Sequence, residues 1–216
     1  MAKIAVLVLN QASVETARRL MVALPGAVLY GSAKRTTGVD VSFEHFKPTV
    51  QELFAQDISI VGLCAAGILI RSLAPVLGNK QHEPAVIAVA SDGSAVVPLL
   101  GGLHGANELA GSIATILSIT PAITTTGDLL FRTALLSPPA GYVLANPNAG
   151  KQFLADCIAG EAVCIEGDAP WLSESQLPQN DQARLKIVVT DKPLSIPANT
   201  LVYHPKSLML SIKTIA

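Results

Sequence analysis

Four short, largely apolar runs constrain this chain more than anything else in it: Ile4–Leu9, Asp57–Leu63, Ala85–Ala90 and Val96–Leu100. Each is short for a helix and too apolar for a strand with one wet face. Each is therefore expected to be a strand buried on both sides, as in a parallel sheet covered by helices. Helical stretches alternate with them. Val14–Leu24 ends at Pro25-Gly26, Thr49–Ala55 follows Pro48, and Ile68–Leu77 follows a glycine-flanked turn. From Ala106, the residues Leu109, Ala110, Ile113, Ile116 and Leu117 recur at helical spacing. Ala27–Tyr30 and Pro121–Thr125 read as further short strands. This alternation predicts an α/β fold with a parallel-sheet, Rossmann-like N-terminal domain over residues 1–126.

Beyond Asp128 the texture changes. Leu129–Leu136 reads as a helix broken by Ser137-Pro138-Pro139, and Asn146-Pro147-Asn148 as the cap of a helix over Ala149–Ile158. A Pro- and Ser-bearing loop from Gly167 to Asp181 carries the single Trp, Trp171. Arg184–Thr190, Asn199–His204 and Ser207–Ile212 read as strands. A smaller α+β domain over residues 127–216 is expected.

Half of the 216 residues are hydrophobic, 14% are charged, and the net charge is −1. That balance supplies no basic field for nucleic acid and no polybasic membrane patch. The longest apolar stretch, Ile58–Ile70, is shorter than the ~20 residues of a spanning helix. Lys3 runs straight into the first strand without the features of a signal peptide. Three cysteines, Cys64, Cys157 and Cys164, without a Cys-x-x-Cys pair suit a reducing cytoplasm. A soluble, cytoplasmic protein is expected.

Chemistry is expected in the glycine-dense turn Gly101-Gly102-Leu103-His104-Gly105, which joins an apolar run to a helix. Glycines let the backbone approach a ligand closely, and the free N–H groups of a helix start suit an anion. The first strand-to-helix turn, Asn10-Gln11-Ala12-Ser13, has no glycine, so the dinucleotide fingerprint is missing. Gly62–Gly67 has the outer spacing of a phosphate loop but not the Lys-Ser/Thr that should follow. Cys64 on that turn reads as a small buried thiol rather than a nucleophile. Arg71 either meets a carboxylate-bearing ligand or lies on the surface of an ordinary strand-to-helix turn. His45, His82, His104 and His204 are scattered, and no protein-bound metal is expected. The turns at Gly62, at Asp92 or Gly101, and at Thr124 are expected to line one edge of the sheet, outside the carboxyl ends of its strands.

Several segments together resemble the cobalt-precorrin-5A hydrolase family of anaerobic cobalamin biosynthesis. They are Gly67-Ile-Leu-Ile-Arg71 with Ala74-Pro75, Lys80 followed by Glu83-Pro84-Ala85-Val86, Asp92-Gly93, Val97 to Gly102, His104 to Ala110, and Ile123-Thr124-Thr125. Members usually carry a second histidine where this chain has Leu103 and an aspartate where it has Glu83. They normally continue into a third domain, so the chain is read as a fragment or a shortened relative. The resemblance implies opening of a δ-lactone on a cobalt-corrinoid substrate with later loss of acetaldehyde, the cobalt arriving with the substrate and no cofactor being needed. The implied partners are that corrinoid and a precorrin methyltransferase of the pathway; a homodimer is expected separately. The alternative is a non-catalytic tetrapyrrole-binding or partner-docking module.

For that chemistry His104 is the candidate general base, because imidazole changes charge nearest neutral pH. Asn107 and the amides of Gly105 and Ala106 are candidate oxyanion donors, although Asn107 also reads as an ordinary helix cap. Glu108 is a candidate to orient His104 or bind water. Substrate contacts are expected from Arg71, Lys80, Asp92, Gly101, Gly102, Gly105, Thr124, Thr125 and Asp128. Turn chemistry or a solvated position accounts equally well for several of these.

Overall fold

The computed structural model describes residues 3–193 and 197–206. The expected strand Ser207–Ile212 lies outside them. The chain divides into two compact units, Met1–Ile123 and Thr124–Ala216.

The first unit holds β1 (Ile4–Val8), α1 (Ala12–Met21), β2 (Val28–Ser32), β3 (Val41–Phe43), α2 (Phe46–Ala55), β4 (Ser59–Leu63), α3 (Ala66–Leu73), β5 (Val86–Val89), β6 (Val96–Leu100) and α4 (Ala106–Leu117). Single 3-10 turns stand at Ala74–Val76, Lys80–His82 and Gly102–His104. The sheet order is β3-β2-β1-β4-β5-β6. The first five strands are parallel, with β1 aligned to β4 so that Val6 faces Val61, and β6 runs antiparallel to β5.

Alternation along the central strands sends their side chains to two faces. Val6, Val8, Val61, Leu63, Ile87 and Val89 pack against Ala17 and Leu20 of α1 and against Ala106, Ala110 and Ile113 of α4. Ala5, Leu7, Ile60 and Val86 pack against Val50 and Leu53 of α2 and Leu69 and Leu73 of α3. Each fully buried aliphatic side chain contributes about 1.5–3 kcal/mol, so the two covered faces fix the register of the sheet.

Two strand expectations are corrected here. Val96–Leu100 is a strand, but only Val96 is buried, and it lies antiparallel at the sheet edge because the six residues between Val89 and Val96 are enough for a hairpin and too few for a crossover. Pro121–Thr125 forms no strand. Ala122 N–H donates to the Val96 carbonyl at 2.8 Å, and Pro121 has no N–H to extend a ladder. The short strand β3 carried too little apolar signal to be read.

The second unit holds α5 (Thr126–Phe131), β7 (Tyr142–Leu144), α6 (Pro147–Ile158), β8 (Val163–Glu166), α7 (Pro170–Ser173), β9 (Leu185–Val189) and β10 (Thr200–Pro205). Its sheet order is β7-β10-β9-β8, with β8, β9 and β10 parallel and β7 antiparallel. Tyr203 is fully buried there, and its hydroxyl donates to the Leu135 carbonyl at 2.7 Å. The expected helix Leu129–Leu136 is shorter, because Arg132 takes a left-handed conformation (φ 54°) that ends α5. Asn146 precedes α6 as expected, but its side chain caps nothing. Its amide donates to the Thr200 carbonyl at 2.7 Å and its oxygen accepts from Val202 N–H at 3.0 Å, so it serves β10 instead. Among the described residues no helix is long and apolar enough to cross a membrane.

Candidate functional site

The direction of β6 decides where the glycine turn goes. Because β6 runs against the other strands, Val96 pairs with Val89 at the carboxyl edge of the sheet, and Leu100 pairs with Val86 at the amino edge. Five strand residues span about 14 Å. The turn Gly101–Gly105 therefore sits at the amino edge, while the Gly62–Gly67 turn and Asp92 sit at the carboxyl edge. Of the two alternatives expected beside the Gly62 turn, Asp92 shares its edge and Gly101 does not.

At the amino edge the chain folds tightly on itself. Gly101 has φ 76°, and a Cβ on it would stand 2.6 Å from the backbone nitrogen of Ala85. Only glycine fits that approach, so the closeness expected for a ligand is used on the protein's own chain. The Gly101 carbonyl accepts from His104 N–H at 2.8 Å and from Ala106 N–H at 3.2 Å. The Ala106 amide is thereby occupied and drops out as an oxyanion donor. Gly105, in a left-handed conformation (φ 79°), takes the cap position of α4, so Asn107 is not the cap. Asn107 is half-buried one residue further in and is engaged.

His104 is exposed, and its Nε2 stands 2.8 Å from the Gln81 backbone carbonyl oxygen. A carbonyl only accepts, so Nε2 carries the proton and Nδ1 keeps the lone pair. Glu108, exposed in the first turn of α4, makes no hydrogen bond to His104. The imidazole is oriented by Gln81, a contact the sequence reading missed. Gly102 has open space where a Cβ would stand, and Lys80 is exposed in the adjoining 3-10 turn.

The remaining candidates lie elsewhere. Asp92 Oδ1 accepts from the Ser94 hydroxyl at 2.7 Å and the Ser94 amide at 3.0 Å, and these bonds hold its carboxyl below the usual range. That is the chemistry of the β5–β6 hairpin turn. Arg71 is exposed and folds back over Gly67 in the first turn of α3, at the carboxyl edge. Arg71 and Lys80 therefore do not converge. Thr124, Thr125 and Asp128 belong to the second unit, where Thr125 takes the cap position of α5 and Asp128 its first turn; Thr125 and Asp128 are both engaged. Burial pushes the Cys64 thiol up to about 11, which suits an inert core residue. Among the described residues no group of three or more His, Cys, Asp or Glu is placed to hold a metal ion.

The family model described as cobalamin synthesis G N-terminal matches residues 48–128, the stretch from α2 through the glycine turn to the start of α5. A cobalt-precorrin-5A hydrolase of Salmonella typhimurium is 32% identical over 133 residues, 61% of this chain and 38% of that protein. The chain is thus similar to the cobalt-precorrin-5A hydrolases. A second member of the hydrolase family, from Priestia megaterium, is 25% identical over 238 residues, covering 96% of this chain and 64% of its own length. The chain thus spans between about two fifths and two thirds of these hydrolases. A solved structure of a cobalamin biosynthesis protein G homolog from Sulfolobus solfataricus aligns with TM-score 0.49 and 16% identity, over 94% of this chain and 60% of that one.

Proposed function

We propose that this chain acts in cobalamin biosynthesis by opening the δ-lactone of cobalt-precorrin-5A at the Gly101–Gly105 turn, with later release of acetaldehyde. The observation that carries the reading is the state of His104: an exposed imidazole, fixed through Nε2, with Nδ1 left as its basic nitrogen. In lactone opening, Nδ1 takes a proton from water as the water oxygen bonds to the acyl carbon. The ring C–O bond then breaks, and the alkoxide takes the proton back. Lys80, at the same edge, is the cation for the substrate's carboxylates. Cobalt belongs to the substrate, and no cofactor enters.

Incubating the purified chain with cobalt-precorrin-5A and assaying acetaldehyde tests the reading. Release that depends on His104 supports it. Corrinoid binding without release leaves the non-catalytic tetrapyrrole-binding module.

A further inference from the structure

An apolar groove adjoins the glycine turn. Ile70 and Leu73 of α3, with Leu77 after it, line one side, and Val86 of β5 with Leu99 and Leu100 of β6 line the other. Every residue that lines it is aliphatic. Ile70 is 51% exposed and Leu77 40%, although both are large apolar side chains. Single apolar residues are common on protein surfaces, but a contiguous cluster marks a place where something binds. Leu100 runs directly into Gly101, and the exposed Lys80 follows Leu77 by three residues, so the groove and the turn share the amino edge of the sheet.

Size and charge say what the groove takes. Its volume is about 90 Å³, well below the roughly 300–1,000 Å³ that encloses a whole small ligand. A stable protein interface takes about 20–30 residues a side, far more than line this groove. It therefore suits one apolar edge of a larger molecule. At its amino-edge end the exposed charge is positive, because Lys80 is exposed while the neighbouring acid, Glu83, is buried. We propose that the groove seats the methyl-bearing edge of an anionic tetrapyrrole macrocycle, with a carboxylate of the macrocycle meeting Lys80. The identity of this ligand rests on the lactone-opening reading. The groove touches no reacting atom. Its apolar contacts are the same before and during the reaction, so it contributes affinity and holds the lactone at the glycine turn.

Equilibrium dialysis of the full chain against cobyrinic acid, a corrin with free carboxylates and no lactone, tests the groove. The double variant Ile70→Gln with Leu77→Gln removes apolar contact at two exposed positions and should melt near wild type. It is expected to raise the Kd about tenfold or more. Val41→Thr, at a similarly exposed residue on β3 at the opposite edge of the sheet, is expected to leave the Kd unchanged. With cobalt-precorrin-5A the double variant should raise KM for acetaldehyde release and keep kcat. Where the double variant melts well below wild type, Leu77→Gln alone carries the comparison. An unchanged Kd in the double variant overturns the proposal, as does no binding by wild type or an equal loss in Val41→Thr. A wild-type dimer that the double variant converts to monomer, with corrin binding unchanged, gives the groove to a second copy and overturns the proposal too. Acetaldehyde release with an unchanged KM in the double variant sinks the groove and leaves the lactone reading standing. Where wild type binds the corrin and releases no acetaldehyde, the lactone reading falls alone and the Kd values decide the groove.

Discussion

His104 Nε2 and the Gln81 carbonyl oxygen, 23 residues apart in the chain, stand 2.8 Å from each other. The contact fixes both the orientation of the ring and the nitrogen that is left to act. His104→Ala is expected to lower acetaldehyde release by about two to four orders of magnitude. Because the side chain is exposed, the melting temperature should barely move. Turnover equal to wild type removes His104 from the mechanism.

Gly101 and Gly102 are adjacent and should respond oppositely to alanine. At Gly101 a Cβ meets the Ala85 backbone on a positive-φ residue, and Gly101→Ala is expected to cost about 2–4 kcal/mol in urea unfolding. At Gly102 nothing stands within 4 Å of the new carbon, so Gly102→Ala should stay within about 0.5 kcal/mol of wild type. Equal losses at the two positions contradict the described turn.

Asp40 makes stability depend on acid. The Arg18 guanidinium, 2.8 Å away, and the Leu29 amide hold its carboxyl below the usual range. A carboxyl with a depressed folded pKa contributes stability above its unfolded pKa and loses it as pH falls through the folded value. The contribution should therefore be present above about pH 4 and fade below it. Both side chains are more than a third exposed, so screening reduces the pair to about 0.2–1 kcal/mol. Comparing the unfolding of wild type and Asp40→Asn at pH 3 and pH 6 measures it; an undiminished difference at pH 3 contradicts the assignment.

In the second unit, Tyr203→Phe removes the hydroxyl that donates to the Leu135 carbonyl and leaves that acceptor unsatisfied in the core. A loss of about 1–3 kcal/mol is expected in urea unfolding, with the strand pairing of β9 and β10 intact by circular dichroism. A neutral outcome shows that water reaches the carbonyl.

The runs that became β1, β4 and β5 were legible because a strand covered on both faces has no polar positions to spare. Ile4 to Val8 and Val86 to Val89 state this directly in their residues. The helix from Ala106 was legible from its spacing. Val41–Phe43 and Val163–Glu166 were not, since short strands draw their stability from neighbours distant in sequence. The candidate site was legible as a list of residue types and not as a place. Nothing local to His104 points to Gln81.

The sequence by itself determined that this chain builds a covered parallel sheet and carries a glycine-dense turn ahead of a helix, because apolar runs and glycines act through local backbone preference and burial. Only the tertiary structure decided which edge the turn occupies. That depended on β6 folding back as a hairpin beside β5, and the pairing that fixes its direction is a contact between strands, present in neither strand alone.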